Sequence, residues 1–173
     1  MITITQVTTD SEREAALRLF REYVVWAVDG IRAEFGVVMD ARTILDGDRA
    51  TLDKYMPPAG RALVAWVGDH AVGVVCLRRL SAGCGEIKRM YVRPEQRGAG
   101  VGRALLEVLI DEARRIGYRQ VWLDSPRFMR AAHGLYQRAG FVPREPYPES
   151  EIAAEHHRHW LFMEKTLEKR DTT

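Results

Sequence analysis

The chain has 173 residues, 46% of them apolar and 29% charged, which suffices for one domain with its own core and is too short for two ordinary ones. Its 26 basic and 24 acidic residues leave a formal net charge of +2 and are interspersed, so no basic face for nucleic acid is expected. The longest apolar run, residues 71–77, falls far short of the roughly 20 residues of a membrane helix, and residues 1–7 lack the basic stretch and apolar core of a secretory leader.

Residues 2–7 alternate apolar and polar and predict a first strand. Asp10 or Ser11 can cap the helix that follows, with Glu12 and Glu14 at its positive end. Ala15, Leu19, Tyr23 and Trp26 recur at helical spacing and carry that helix to about Val28, and a weaker helical stretch spans 31–39. Residues 45–60 are rich in Asp, end in Tyr-Met-Pro-Pro-Ala-Gly and read as a loop. Residues 62–67 and 71–77 are two strands joined by a tight turn at Gly68-Asp69-His70. Their nearly continuous apolar character predicts a sheet covered by helices on both faces. Cys76 lies in this run as a buried small hydrophobe, and Cys84 sits in a Ser-Ala-Gly-Cys-Gly turn that can expose it. Two such cysteines make no disulfide framework and fit free thiols in a reducing, cytoplasmic location.

Residues 86–92 form the next strand, in which alternation puts Glu86, Lys88 and Met90 on one face and Ile87, Arg89 and Tyr91 on the other. Glu86 and Lys88 are then placed to pair. A glycine turn, Gln96-Arg-Gly-Ala-Gly-Val-Gly102, leads into a helix whose buried stripe runs from Val101 to Ile116 and which Gly117 stops. Residues 121–124 are a short strand, 130–138 a helix stopped by Gly140, and Phe141-Val142 a strand. Residues 143–155 hold three prolines and read as a surface excursion. Residues 160–167 are the last strand, and the polar tail 168–173 is expected to fray. No repeat or linker divides the chain, so 1–173 is expected to be a single domain.

The glycine turn carries the chemistry. Alternate glycines let the backbone turn tightly and approach a ligand, and the helix that follows adds unpaired N–H groups and the positive end of its dipole. Together they make an anion site of the size of a pyrophosphate, with Arg97 and Arg103 at its rim. The turn lacks the Gly-Lys-Ser/Thr of a nucleotide-triphosphate loop. Its Gly98-x-Gly100-x-Gly102 spacing also differs from the Gly-x-Gly-x-x-Gly of a dinucleotide site, which usually opens its domain. It does match the Gln/Arg-x-x-Gly-x-Gly/Ala coenzyme A loop of the GNAT superfamily of N-acetyltransferases. A second element, Arg130-Ala-Ala-His-Gly-Leu-Tyr-Gln-Arg-Ala-Gly-Phe141, is similar to that family's Ala-x-x-Leu-Tyr-x-x-x-Gly-Phe helix, with His133 where many members have Asn.

The chain thus resembles a GNAT acetyltransferase over nearly its whole length. The resemblance implies an α/β (α+β) fold with a mixed, mostly antiparallel central sheet and helices on both faces. It implies acetyl-CoA as cofactor, with Met90, Tyr91, Val92, Gln96, Arg97, Gly98, Ala99, Gly100, Val101, Gly102, Arg103, His133 and Tyr136 in its site. The fourth and fifth strands would splay beneath the glycine turn to admit the pantetheine arm. Tyr136 matches the tyrosine proposed as general acid to the coenzyme A sulfur, and Glu86 the acidic residue that serves as base, directly or through water.

The family's acceptor pocket implies substrate contacts from Tyr23, Arg32, Glu34, Phe35 and the excursion from Pro143 to His159, and Asp124 and Ser125, which end the fifth strand at the same gap, are placed to touch the acceptor or the pantetheine. Glu34, Asp46, Glu149 and Glu151 are either acids that attract a cationic amine or ordinary surface charges. His156, His157 and His159 cluster without a nearby Cys, and no metal site is expected. The implied reaction is transfer of acetyl to the amine of a small molecule by direct attack in a ternary complex. A protein or peptide amine, which needs an open groove, and an inactive coenzyme A-binding regulator are the alternatives. The family often forms symmetric dimers, so a homodimer is the assembly the resemblance suggests, with no nucleic acid or membrane partner.

Overall fold

The computed structural model describes residues 1–168; most of the tail expected to fray lies outside them. Seven strands build one sheet in the order β1 (Ile2–Gln6), β2 (Arg61–Val67), β3 (His70–Ser81), β4 (Cys84–Val92), β5 (Gln120–Pro126), β7 (Trp160–Thr166) and β6 (Val142–Arg144). Neighbours are antiparallel except β4 and β5, which are parallel. Four α-helices accompany it: α1 (Asp10–Phe35), α2 (Ala41–Ala50), α3 (Val101–Ile116) and α4 (Arg130–Arg138). This is the mixed, mostly antiparallel sheet with two covered faces that the sequence implies.

Alternation in the central strands sorts their side chains between two cores. Leu63, Val75, Leu77 and Ile87 pack against Leu105, Leu106 and Leu109 of α3 and against Tyr136 of α4. Val64, Val74 and Cys76 pack on the opposite face against Leu19 and Phe20 of α1. A third cluster gathers Ile31 from the far end of α1, Tyr147 from the excursion, and Trp160 and Phe162 of β7.

The helical segments depart from the sequence expectation. The first helix does not stop near Val28 but runs unbroken to Phe35, so the separate stretch 31–39 does not exist; Gly36, at φ 67°, ends it. Gly30 remains inside the helix because α1 lies close against Phe128, whose Cζ would be 2.4 Å from a Cβ at that position. The cap is Thr9 rather than Asp10 or Ser11, and Glu12 Oε2 accepts from the backbone N–H of Thr8 at 2.8 Å and of Thr9 at 3.0 Å. The expected loop 45–60 begins inside α2, which Asp40 caps by accepting from Arg42 N at 3.0 Å and Thr43 Oγ1 at 2.6 Å. Cys84 opens β4 and is buried.

The β3–β4 register carries the largest correction. Cys76 pairs with Lys88 and Val74 with Tyr91, so two steps on β3 face three on β4. The extra residue is a β-bulge at Arg89, whose φ is 54°. The bulge leaves the predicted alternation intact from Glu86 to Lys88 and reverses it from Arg89 onward. Met90 and Val92 turn toward the α3 core, while Tyr91 joins Val74 and Cys76 on the α1 side. Arg89 therefore sits beside Lys88 rather than opposite it, and both cations face the same space under α1.

Candidate active site

The parallel pairing of β4 with β5 covers only Cys84–Ile87 against Gln120–Leu123. Beyond Ile87 the two strands part, and β4 runs on through Met90, Tyr91 and Val92 without a partner on that edge. A small cavity of about 40 Å³ fills the gap. Lys88, Arg89 and Met90 line it from β4, Asp124 and Ser125 from β5, Tyr136 from α4 and Tyr23 from α1. Tyr136 is 4% exposed, and its hydroxyl makes no hydrogen bond with any described residue. Burial pushes the Tyr136 phenol well above its ordinary range, so its proton stays on the oxygen at neutral pH.

The glycine turn stands at the open end of this gap. Gly98 and Gly100 have φ of 83° and 86°, values that exclude most other residues, and no atom lies within 4 Å of where a Cβ would stand on either. No side chain caps α3, so the first-turn N–H groups of Val101, Gly102 and Arg103 are left for a ligand. Gly102 serves packing instead: a Cβ there would come within 3.3 Å of Leu135 and 3.5 Å of Met90. An open turn of amide donors above an unpaired strand edge offers the donors that a pyrophosphate-bearing cofactor such as coenzyme A needs.

Arg97 does not reach outward from this turn as expected. Its Nε donates to Val92 O at 3.0 Å, and its guanidinium lies 5.0 Å from the Trp26 ring centroid. Arg103 stays exposed beside Glu107, Gln96 is half-buried and Ala99 exposed. His133 lines no cavity; its Nε2 lies 3.0 Å from Ser125 Oγ, and burial followed by the nearby Arg127 lowers its pKa from 6.5.

A second, larger cavity of about 160 Å³ adjoins the first and shares Tyr23, Lys88, Arg89 and Asp124 with it. Its walls are apolar: Val24, Ala27, Val28 and Ile31 of α1, Met39 and Ile44, and Ile152 and Trp160. Its floor is an ion-pair network. Lys88 Nζ stands 3.2 Å from Asp124 Oδ2, 3.4 Å from Glu151 Oε2 and 3.6 Å from Glu86 Oε1. Arg78 holds Glu86 at 2.5 Å and Glu151 at 3.0 Å, Lys54 approaches Glu151 at 3.6 Å, and Arg89 forks onto the buried Asp48 with two bonds of 2.7 Å. Tyr147 Oη donates to Glu86 Oε1 at 2.7 Å and lies 3.3 Å from Asp124 Oδ2, which also accepts from Ser150 Oγ at 3.3 Å.

The network separates the expected site residues. Tyr23, Asp124, Ser125 and Tyr136 converge on the gap. Glu86 sits beneath it, fully buried, with both carboxylate oxygens engaged and no contact with either cavity. Its expected pairing with Lys88 is present. Asp124 lines both cavities; Lys88 Nζ and Ser150 Oγ donate to Oδ2, with Tyr147 Oη 3.3 Å from it, and Oδ1 has no partner among the described residues. Arg32 and Glu34 are exposed outside the cavities, and Phe35 and His159 stack on each other at 4.6 Å away from them. Among the described residues no three His, Cys, Asp or Glu side chains gather as a metal site, and no helix is long and apolar enough to cross a membrane.

The sequence reading overlooked Arg78, Arg89, Asp48 and Tyr147. Three charges among four residues of one strand, Glu86, Lys88 and Arg89, were the available sign that buried partners must exist.

Glu151 ties the excursion to this floor. Burial raises its carboxyl pKa, but Lys88, Arg78 and Lys54 outweigh it and bring the value from 4.5 to about 2. A folded value below the unfolded one means the unfolded chain binds more protons in that window. The contribution is complete above pH 4.5 and fades as the pH falls toward about 2. Glu151→Gln is therefore expected to flatten stability against pH across that window; urea midpoints measured within and above it would show the flattening. The residue's partial exposure keeps the effect modest.

The matches to known proteins agree with this geometry. The model of the acetyltransferase (GNAT) family matches residues 32–141. An uncharacterized N-acetyltransferase of Schizosaccharomyces pombe is 36% identical over 122 residues, 69% of this chain and 74% of that protein. An IAA acetyltransferase of Azospirillum brasilense is 30% identical over 158 residues, 90% of this chain and 92% of that one. The crystal structure of PaiA N-acetyltransferase from Thermoplasma acidophilum in complex with coenzyme A superposes with a TM-score of 0.73 at 17% identity, covering 96% of this chain and 99% of that one.

Proposed function

The chain belongs to the acetyltransferase (GNAT) family and uses acetyl-coenzyme A, and on that premise we propose that residues 1–173 act as a single N-acetyltransferase domain whose acceptor is the amine of a small molecule held in the larger cavity. The observation that carries this reading is the wall over the charged floor. The excursion contributes Glu151 and Ile152 to the cavity and is tied down through Tyr147, Ser150 and Glu151. A peptide acceptor needs an open groove where this segment lies.

Bound acetyl-coenzyme A supplies an acyl thioester to the gap between β4 and β5. The first-turn amides of α3 hold the pyrophosphate, and the free edge of Met90, Tyr91 and Val92 aligns the pantetheine arm. Asp124 Oδ1 takes the amine proton as the nitrogen bonds the acyl carbon. Tyr136 Oη gives its proton to the sulfur as the C–S bond breaks, a role for which burial keeps it protonated. Lys88 and Ser150 fix the Asp124 carboxylate through Oδ2. Glu86 acts on Tyr147 and Arg78, as a positioning residue rather than the base.

Ala27 lines the larger cavity and is absent from the smaller one, so Ala27→Phe tests the assignment. It is expected to lower kcat/KM for a small acceptor at least about tenfold, with coenzyme A affinity by calorimetry unchanged. Acceptor kinetics equal to wild type would contradict the placement.

A further inference from the structure

The charges of the floor cancel. Lys54, Arg78, Lys88 and Arg89 face Glu86, Asp124, Glu151 and Asp48, four cations against four carboxylates, each paired within the network. Lys88 meets three carboxylates at once, and Arg89 spends Nε and Nη2 on Asp48. No cation lining the larger cavity is left uncompensated among the described residues. A carboxylate brought in by the acceptor would make the floor net negative in a partly desolvated space, which is costly. A neutral amine keeps the balance, and it is the form that attacks a thioester. Above the floor the walls are almost wholly apolar, and the cavity's size of about 160 Å³ matches the roughly 150 Å³ that holds a benzene ring.

We propose that the acceptor is a compact apolar primary amine without a carboxylate, an alkylamine or arylalkylamine rather than an amino acid. This rests on the small-molecule reading above and narrows it. Tyr23, shared by both cavities, stands where the amine end of such a molecule passes from the apolar chamber to the gap. The body of the molecule occupies the chamber between α1 and Ile152, and its nitrogen reaches Asp124.

Matched pairs that differ only in the carboxylate provide the test: isoamylamine against leucine, and phenethylamine against phenylalanine, with thiol release from acetyl-coenzyme A as readout. The amines are expected to exceed the amino acids in kcat/KM by roughly 10²-fold or more. Asp48→Asn removes the bidentate partner of Arg89 and leaves an uncompensated cation at the cavity, so the amino acid to amine ratio should rise about tenfold. The ratio remains readable even if the variant loses stability. Amino acids turned over as well as the amines, or polyamines preferred to both, would overturn the class and leave the small-molecule reading standing. An unmoved ratio in Asp48→Asn would overturn the charge-balance argument. Turnover only with N-terminal or lysyl peptides would overturn the small-molecule reading, and the class with it. Silence with every amine while coenzyme A binds would overturn both.

Discussion

Replacing Asp124 with asparagine is expected to lower kcat by roughly 10²- to 10⁴-fold, with coenzyme A affinity retained. The substitution preserves shape and hydrogen-bonding reach but removes the one carboxylate that lines both cavities and has a free oxygen. Its counterpart is Glu86→Gln. Glu86 is fully buried, and its loss leaves Arg78, itself mostly buried, without its shortest contact. That change should appear as a stability loss of roughly 3 kcal/mol, while folded enzyme keeps most of its turnover. Chemical denaturation and kinetics on the same two variants separate the roles. If Glu86→Gln abolishes turnover in a fully folded protein and Asp124→Asn does not, the base belongs on β4 after all.

The second large effect is expected from Tyr136→Phe. The hydroxyl lies in the gap with no partner among the described residues, so removing it costs no internal hydrogen bond and little stability. What disappears is the proton for the departing sulfur, and kcat should fall by about 10²-fold. Because a more acidic thiol needs that proton less, an acyl donor with such a leaving group should narrow the deficit between variant and wild type. Burial holds the wild-type phenol above its ordinary value of 10.0, so its ionisation should not appear in the alkaline limb near that pH. Equal losses with both donors would point to a packing role for Tyr136 instead.

Much of the fold was legible because the sequence is locally consistent. The nearly continuous apolar character of residues 62–67 announced a sheet covered on both faces, and its side chains do divide between two cores; the glycine turn is present, with Gly98 and Gly100 at φ values that few other residues permit. The failures share a cause: tertiary contacts that local pattern does not encode. The first helix was expected to reach only about Val28, yet it runs on through Gly30, the place where α1 meets the Phe128 ring. The Arg89 bulge adds one residue to β4 and turns every later side chain to the other face, which no periodicity could anticipate. Glu86 looked like a strand-end acid free to act, but Arg78 and Tyr147, eight residues before and sixty-one after it, take both of its oxygens. Asp124 was only one of two polar residues at a strand end, and its position between two cavities follows from where β5 leaves β4. Arg32, Glu34, Phe35 and His159 were placed by likeness to the family's acceptor pocket, and they lie outside both cavities, to which α1 contributes residues from Tyr23 to Ile31.

The measurement that bears most directly on the central claim is kcat/KM for acetyl transfer to small primary amines, set against peptides carrying an N-terminal or lysyl amine, at equal cofactor saturation. The larger cavity, walled by α1 and the excursion over a charge-balanced floor, predicts that the best small amine exceeds every peptide. A peptide that matches or exceeds the best small amine would contradict it.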